Sequence, residues 1–218
     1  MHKQGKKGTF RTRAIELFCC FFFFLFFTNQ AMAQKSLSDS YSNILIINSY
    51  TEAAPWSSRI ISAVTGYVQD IPYMTLYTEH MLVDNDSILE QFRKMLSGKY
   101  EKNPPSVLLL LGSPAMVLRD DFKRMWGDVP IVLCAEADYV GPTEAYVRKY
   151  PIDVAERIPL ADLAKPYNLT FLYSDFYIKE NINLVCRMTP KIKNFIFIGD
   201  GRQSNQTNDW LIRQELKK

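Results

Sequence analysis

The sequence predicts an α/β protein built on a doubly wound parallel sheet. Three features predict this fold class: strand-like and helix-like segments alternate, several strand-like segments are continuous aliphatic runs, and cap or turn residues follow those runs. Continuous aliphatic runs suit strands that are covered by helices on both faces. The 218 residues contain no internal repeat and no low-complexity linker, so one main sheet is expected.

The first predicted elements form two strand–helix units. Ile44–Ile47 predicts a buried strand, and the residues after it recur at the spacing of an amphipathic helix. The apolar residues of that helix are Ile60, Ile61, Val64, Tyr67 and Val68. Met74–Met81 alternates like a second strand. Ser87 and Glu90 form a capping-box pair that predicts the start of the next helix, whose apolar residues are Ile88, Leu89, Phe92, Met95 and Leu96.

The same cycle continues through the middle of the chain. Val107–Leu111 predicts a strand covered on both faces. Ser113 and Pro114 are typical of a helix cap and a first-turn proline, and the helix carries Met116, Val117, Phe122 and Met125. Ile131–Leu133 predicts the fourth strand. Residues 136–166 contain four prolines and predict a loop-rich excursion.

The last part of the chain predicts a crossing to a second lobe. Leu169–Tyr173 is interpreted as a strand that crosses out of the first lobe. A helix follows, with Ile178, Ile182 and Val185 on its apolar face. Phe195–Ile198 predicts another buried strand, and Asn208–Leu216 predicts the start of a further helix.

The first 33 residues are set apart from the fold by their composition. Five basic residues precede Leu17–Phe27, an eleven-residue run without a charge, and Ala31-Met32-Ala33 places small residues where a signal peptidase cuts. We therefore expect a secretory signal peptide, cleaved before Gln34, and a periplasmic protein. The alternative of an uncleaved anchor is disfavoured because a membrane span requires roughly 20 apolar residues.

The leader also carries the excess of positive charge. The whole chain has a formal net charge of +3, whereas residues 34–218 hold 21 basic and 22 acidic residues and a net charge of −1. This balance gives no support to a nucleic-acid partner. Cys134 and Cys186 are the cysteines that follow the leader. The sequence leaves open whether they form a disulfide or remain small apolar thiols.

Side chains suited to ligand binding follow several of the predicted strands. In an open parallel sheet, ligands bind beyond the carboxyl ends of the strands, where loops lead to helix N-termini. The residues after the strands should therefore gather at one edge. The candidate ligand-binding residues are Ser49, Tyr50, Trp56, Gly112, Ser113, Glu136 and Asp200. The rings of Tyr50 and Trp56 suit a sugar, a heterocycle or an apolar ligand.

Each candidate also has a structural alternative that the sequence leaves open. Ser49 could satisfy backbone groups in a turn, and Trp56 could fold over the core at the start of a helix. Ser113 could cap the helix that follows it, while the free N–H groups of that helix could hold a carboxylate or a hydroxyl. Glu136 has no evident partner in the sequence.

The sequence lacks the residue patterns of catalytic and metal sites. His80 is the single histidine after the leader, and one histidine with two separated cysteines makes no transition-metal site. Gly112-Ser113-Pro114 lacks the glycine spacing of a nucleophile elbow, and there is neither a phosphate-binding loop nor a dinucleotide fingerprint. Nothing supports a triad of Ser113, His80 and an aspartate. We expect no metal and no cofactor, and the sequence leaves enzyme activity undetermined.

Three stretches resemble a known family. "ILIINSYTEAAPWSSRIISAV" is similar to the opening of the periplasmic sensor regions of bacterial hybrid two-component histidine kinases, particularly those of Bacteroidetes. "SVLLLLGSPA" resembles their third strand and its turn. "IKENINLVCRMTPKIKNFIFIGD" resembles the helix and strand that enter their second lobe, a strand that commonly ends in an aspartate such as Asp200. These regions in turn resemble ABC-transporter substrate-binding proteins of the type 1 periplasmic fold.

The resemblance implies the first lobe of a type 1 periplasmic-binding-protein-like fold with an incomplete second lobe. After the predicted signal peptide at 1–33, it implies an N-terminal ligand-binding lobe at 34–177 and the start of a second lobe at 178–218. The implied function is extracytoplasmic ligand sensing for a two-component histidine kinase whose kinase part is not in this chain. The parent protein would then be anchored in the inner membrane.

The resemblance also implies partners and a mechanism. The partners are a small-molecule ligand and the remainder of a membrane receptor, with a homodimer as one arrangement. The mechanism is closure of two lobes on the ligand, with the hinge change carried to a membrane helix. Two alternatives remain: a substrate-binding protein of an ABC transporter, and a periplasmic hydrolase, which the missing catalytic pattern disfavours.

Overall fold

The computed structural model describes residues 43–78, 86–174, 177–199 and 201–217. The predicted signal peptide, His80 and Asp200 lie outside the described residues. The expectations that concern them therefore stay predictions.

Five of the seven strands in the described part of the chain form one parallel sheet. The strands are β1 (Ile44–Asn48), β2 (Tyr73–Tyr77), β3 (Val107–Leu111), β4 (Ile131–Ala135), β5 (Tyr139–Val140), β6 (Ile158–Pro159) and β7 (Leu169–Tyr173). Their order in the large sheet is β2-β1-β3-β4-β7, and every neighbouring pair is parallel. β5 and β6 form a separate antiparallel pair. The predicted α/β class with a parallel sheet is confirmed.

Helices connect and flank these strands. The α-helices of the described residues are α1 (Pro55–Tyr67), α2 (Asp86–Tyr100), α3 (Arg119–Trp126), α4 (Thr143–Arg148), α5 (Leu160–Ala164), α6 (Ile178–Met188) and α7 (Gln203–Leu216). Two 3-10 helices span Ser113–Leu118 and Val154–Glu156. No helix formed by these residues combines the length and apolarity needed to cross a bilayer.

The strands place their apolar side chains in two layers, one on each face of the sheet. The larger core includes Leu45, Ile47, Leu108 and Leu110, together with apolar residues of α2 and α3. The smaller core consists of Ile46, Leu109, Leu111 and Cys134, which pack against α1. Successive residues of a strand point to opposite faces, so helices must cover both. The arrangement is compatible with the predicted doubly wound fold.

Three predicted details of the helices are wrong. Helix α2 already includes Asp86, so Ser87 is not its N-cap. The segment after β3 begins as a 3-10 helix with Gly112 at the N-cap position and no side-chain cap, so Ser113 is not a cap either. Tyr67 was predicted on the buried face of α1, but it is 94% exposed because the helix ends there.

The segment predicted to be loop-rich, 136–166, is more regular than expected. It contains the β5–β6 pair, two short α-helices and a 3-10 helix. Asp153 and Glu156 form a capping box around that 3-10 helix. Tyr146 and Leu160 are buried in the larger core, so apolar side chains hold this segment against the sheet.

The C-terminal elements also differ from the prediction. β7 pairs with β4 as an edge strand of the sheet instead of crossing out of it. Residues 192–199 belong to no strand, so the predicted buried strand Phe195–Ile198 is wrong: Ile196 and Ile198 are 86% and 90% exposed. An apolar run becomes a buried strand only where a sheet edge and a covering layer receive it. The last helix begins at Gln203, five residues earlier than predicted.

Candidate functional site

The loops that leave the parallel strands emerge side by side at the carboxyl edge of the sheet. The strand register places Asn48 opposite Leu111, and Leu111 opposite Cys134. In the next pair, Ala135 lies opposite Tyr173. The residues that follow these positions therefore share one edge, as expected for ends of parallel strands.

Asn48 fixes the turn that follows β1. Its side chain is fully buried, donates from Nδ2 to Ser57 Oγ at 3.1 Å, and accepts at Oδ1 from the Tyr50 backbone N–H at 3.1 Å. Its carbonyl oxygen accepts from the backbone N–H of Thr78 at 2.9 Å. Such partners are required because a buried polar group without one costs roughly 1–3 kcal/mol. The polar residues after this buried strand thus organise the turn, and they orient Tyr50.

Gly112 allows Tyr50 to lie close against the sheet edge. Its φ is +94°, and a Cβ at this position would lie 3.1 Å from Ser49 Cβ and 3.1 Å from Tyr50 Cε2. Only glycine adopts this conformation readily. Ser49 is fully buried, and its hydroxyl has no hydrogen-bond partner among the described residues. Ser49 and Gly112 therefore lie beneath the site and determine where the Tyr50 ring rests.

Glu136 receives hydrogen bonds from groups that follow two other strands. The Tyr50 hydroxyl donates to Glu136 Oε1, and the backbone N–H of Ser113 donates to the same carboxylate. The sequence showed no partner for Glu136, because these two donors come from positions 86 and 23 residues away. The sheet brings them together.

Burial has the largest effect on the pKa of Glu136 and raises it. The hydrogen bond from Tyr50, the positive charge of Arg202 and the Ser113 N–H lower it, since each favours the carboxylate. Burial and the nearby Glu136 charge raise the pKa of the Tyr50 hydroxyl far above its usual value. Tyr50 therefore keeps its proton and is the donor of the pair.

Trp56 stands beside Tyr50 at the start of α1. The ring centroids are 5.4 Å apart and the planes cross at 69°, the edge-to-face arrangement that aromatic pairs favour. Trp56 is 40% exposed. It therefore lies at the surface of the site rather than over the core, where a tryptophan would be largely covered.

These residues line a pocket of about 310 Å³ at the sheet edge. One wall consists of Tyr50, Trp56, Ala135 and Glu136, and Ser174 follows β7. The facing polar residues are Arg202, Ser204, Asn205 and Asn208, at the start of α7. A neighbouring pocket of about 50 Å³ also includes Glu136, together with Ser113 and Tyr146. The larger volume lies at the lower end of the range of small-molecule sites, roughly 300–1,000 Å³.

Hydrogen bonds fasten the start of α7 to the segment after α4. Gln203 Nε2 donates to the Tyr150 carbonyl oxygen at 3.4 Å and to Thr207 Oγ1 at 2.8 Å. The backbone N–H of Ile152 donates to Thr207 Oγ1 at 3.4 Å. Gln203 and Thr207 are both buried. This packing places the polar residues of the first turns of α7 on the pocket.

The structure describes six of the seven predicted site residues. Tyr50, Trp56 and Glu136 line the larger pocket, and Ser113 lines the smaller one. Ser49 and Gly112 lie beneath Tyr50 and line neither. Asp200 lies outside the described residues. That these residues bind a ligand stays a prediction.

Sequence reasoning did not identify the polar residues contributed by the start of α7 or by Ser174. The α7 residues concerned are Arg202, Ser204, Asn205 and Asn208. Near this segment, the sequence had indicated only Asp200 as a candidate, on the premise of a strand at Phe195–Ile198. The helix that follows reaches the site without that strand.

The described residues hold no cluster of His, Cys, Asp and Glu side chains that could bind a metal ion. Cys134 is buried in β4 and Cys186 is exposed on α6, and both are free thiols. Burial raises the pKa of the Cys134 thiol, which makes it a poor nucleophile at neutral pH. Cys134 thus serves the smaller core, as its apolar context suggested.

Comparisons with known proteins give no further assignment. No family model matches the chain, and no curated protein and no solved structure matches it.

Proposed function

We propose that this chain is the extracytoplasmic ligand-sensing domain of a receptor of the two-component histidine kinase type. Its sheet would be the first lobe of a type 1 periplasmic-binding-protein-like fold. The observation that carries this proposal is the pocket at the carboxyl edge of the sheet, where Tyr50, Trp56 and Glu136 face the start of α7. In open parallel sheets this edge is the place where ligands bind.

The chemistry of the pocket favours binding over catalysis. Its polar groups are hydroxyls, side-chain amides, one carboxylate and one guanidinium beside two aromatic rings. Apolar walls with a few placed polar groups are typical of sites that orient a small ligand. The Tyr50 hydroxyl keeps its proton because its pKa is raised, so it is not an activated nucleophile. Burial also raises the pKa of Glu136, as in a general acid, but no histidine, lysine or cysteine among the described residues lines the pocket beside it.

The pocket also suits a mechanism in which ligand binding changes the relation of two walls. One wall belongs to the sheet edge, and the other belongs to the start of α7. A ligand that contacts both walls stabilises the arrangement in which they are close, and it shifts the population toward that arrangement. In the proposed receptor this change is transmitted to a membrane helix and a kinase supplied by other sequence.

Export is tested by the N-terminus of the protein. The proposal expects mature protein in the periplasmic fraction with Gln34 as its first residue. Mass spectrometry of the recovered protein reads this directly. An intact Met1 terminus in the membrane fraction would contradict export as a cleaved periplasmic protein.

Ligand binding is tested by calorimetric and thermal-shift screening of the full chain against sugars, amino acids, nucleosides and small carboxylates. A ligand should raise the melting temperature by an amount that grows with the logarithm of its concentration once that concentration exceeds Kd. Tyr50→Phe, which removes a hydroxyl at the pocket, should weaken binding. Tyr67→Phe is the matched control, since Tyr67 is 94% exposed and lies outside the pocket. Equal effects of the two changes, or no ligand in the screen, would count against the proposed function.

Two cellular readouts and one in vitro readout separate the receptor from the two alternatives. Once a ligand has been identified, Trp56→Ala in a receptor should abolish the transcriptional response to that ligand, while uptake of the ligand continues. A transporter component should instead lose uptake, and a hydrolase should convert the ligand in vitro. Loss of uptake or turnover of the ligand would overturn the receptor assignment.

A further inference from the structure

The larger pocket presents one acidic and one basic side chain to the same space. Glu136 lies on the sheet wall and Arg202 lies at the start of α7, and both line the pocket. Their charges interact, as shown by the effect of Arg202 on the pKa of Glu136. The other polar lining groups, such as those of Ser204 and Asn208, are uncharged. A ligand that contacts both side chains is expected to carry both signs of charge and little net charge.

Each charged group can serve a ligand in addition to its protein partners. A carboxylate offers about four acceptor positions, and Glu136 uses positions for the Tyr50 hydroxyl and the Ser113 N–H. The guanidinium of Arg202 carries five N–H donors in a planar fork that suits a carboxylate. A ligand ammonium could donate to the Glu136 carboxylate while a carboxylate of the same ligand accepts from the Arg202 guanidinium.

The remaining surface of the pocket is aromatic. The exposed part of Trp56 adjoins the Tyr50 ring, and the two rings form an L-shaped wall with planes at 69°. A flat apolar group packs against such a wall in the offset or edge-to-face arrangements that aromatic rings favour. The volume of about 310 Å³ suits a single small molecule.

We propose that the pocket binds a zwitterion, specifically an α-amino acid with a flat apolar side chain. The ammonium lies on Glu136, the carboxylate lies on Arg202, and the side chain lies against Trp56 and Tyr50. This inference rests on the proposed ligand-binding function and names the chemical class of its ligand. Because Glu136 and Arg202 belong to different walls, such a ligand bridges the walls through its two charged groups.

Proton linkage gives this assignment a test. Burial raises the pKa of the Glu136 carboxyl, and a bound ammonium favours the carboxylate form. Binding therefore lowers that pKa, and affinity must fall as pH decreases through it. The titratable groups of the described chain that interact with Glu136 are Tyr50, Tyr139, Tyr146 and Arg202. Burial raises the pKa of each of these three tyrosines, so the expected pH dependence is assigned to Glu136, and the Glu136 variant tests that assignment.

A series of matched probes tests the proposal by calorimetry on the full chain. The probes are phenylalanine, phenethylamine, which lacks the carboxylate, 3-phenylpropionate, which lacks the ammonium, and glucose, which is uncharged. Phenylalanine should bind most tightly, and removal of either charged group should weaken binding about 10- to 100-fold, the effect of losing one charge-assisted hydrogen bond. Affinity for phenylalanine should decrease toward acidic pH.

Two variants test which charged group of the ligand each pocket residue contacts. Two control variants change the net charge of the protein by the same amount outside the pocket. Glu136→Gln should weaken phenylalanine binding and remove its pH dependence, with little effect on 3-phenylpropionate. Arg202→Gln should weaken phenylalanine and 3-phenylpropionate and spare phenethylamine. Glu144→Gln and Arg213→Gln, at exposed positions outside the pocket, should leave all Kd values unchanged. A melting curve for each variant confirms folding, and Arg202 is exposed, so its variant stays informative if Glu136→Gln unfolds.

The outcomes separate this inference from the proposed function. Glucose binding that depends on Trp56, with no preference for phenylalanine over its two analogues, would overturn the zwitterion assignment and leave the ligand-binding function standing. Absence of binding by all four probes would also overturn it, while the broader ligand screen decides the function. Equal effects of the pocket variants and the control variants would likewise overturn it.

Discussion

Residues 43–174 and residues 177–199 have similar apolar patterns in the sequence but very different surroundings in the fold. In the first region, four of the five residues of β3 are buried. In the second region, no residue is buried, although α6 is amphipathic and Phe195–Ile198 is continuously apolar. The exposed large side chains of the second region include Leu184, Met188, Ile196 and Ile198.

The difference shows what an apolar pattern determines and what it does not. Periodicity predicts the type of an element because it reports which side chains share a face. It does not report whether another surface is present to cover that face. Helical stability in proteins comes mostly from such packing, so α6 and β3 should differ strongly in stability.

The largest expected difference concerns the opening of the backbone. Amides of Val107–Leu111 should exchange with solvent only through global unfolding, at a free energy of about 5–15 kcal/mol for a typical domain. Amides of residues 195–199 should exchange nearly as fast as in an unfolded chain, because these residues belong to no strand. Hydrogen-exchange mass spectrometry of the full chain measures both. Equal protection of the two segments would mean that the second region is packed.

Two leucine substitutions compare the contribution of side-chain packing to stability in the two regions. Leu110 is fully buried in β3, whereas Leu184 on α6 is 55% exposed. Leu110→Ala should lower the free energy of unfolding by about 2–5 kcal/mol, because it removes packed atoms and leaves a cavity. Leu184→Ala should change it by about 0.5 kcal/mol or less. Urea denaturation compares the two, and a large loss for Leu184→Ala would show that α6 has a partner.

Most predicted strands and helices of the first region form, and so does helix α6 of the second region, but the strand predicted at Phe195–Ile198 does not. The run Val107–Leu111 is too apolar to be stable anywhere except inside a sheet, and β3 has the predicted bounds. Phe195–Ile198 is also continuously apolar, yet whether it forms a strand depends on whether a sheet edge is available to pair with it. No local pattern holds that information.

The site was predictable to the extent that it depends on the sheet. Parallel strands bring their carboxyl ends to one edge whatever their loops do, so Tyr50 and Glu136 were expected near each other. Their hydrogen bond and the closeness of Gly112 to the Tyr50 ring depend on loop geometry that spacing does not report. The contribution of Arg202 depends on how α7 packs, which is a long-range contact.

Replacing Asn48, a buried amide at the edge of the site, should lower the free energy of unfolding by an intermediate amount. Asn48→Ala removes the hydrogen bonds that the Asn48 side chain makes with the Tyr50 backbone N–H and the Ser57 hydroxyl, and the loss of one partner of a buried hydrogen bond costs roughly 1–3 kcal/mol. The matched control is Asn183→Ala on α6, an exposed residue of the second region, which should change the stability by about 0.5 kcal/mol or less. Equal melting curves for the two variants would contradict the conclusion that Asn48 stabilises the turn after β1.

Trp56→Ala should have only a small effect on stability, although Trp56 belongs to the well-packed region. Trp126 provides the matched comparison: its ring stacks on Phe122 at 5.5 Å with planes 8° apart, and it packs against the larger core. Trp126→Ala should therefore cost about 3–5 kcal/mol. Trp56 is 40% exposed and contacts the Tyr50 ring by its edge.

Trp56→Ala should therefore cost roughly 1 kcal/mol or less, as is usual for surface changes, while it reduces ligand binding. Chemical denaturation of the two variants, followed by calorimetry of Trp56→Ala with the best-binding probe, separates stability from binding. A loss near that of Trp126→Ala would mean that Trp56 belongs to the core. A small loss of stability with unchanged binding would contradict the proposal that the Trp56 indole contacts the ligand. The expected combination, intact stability with weakened binding, would show that side chains at the sheet edge are free to serve a ligand because the fold does not depend on them.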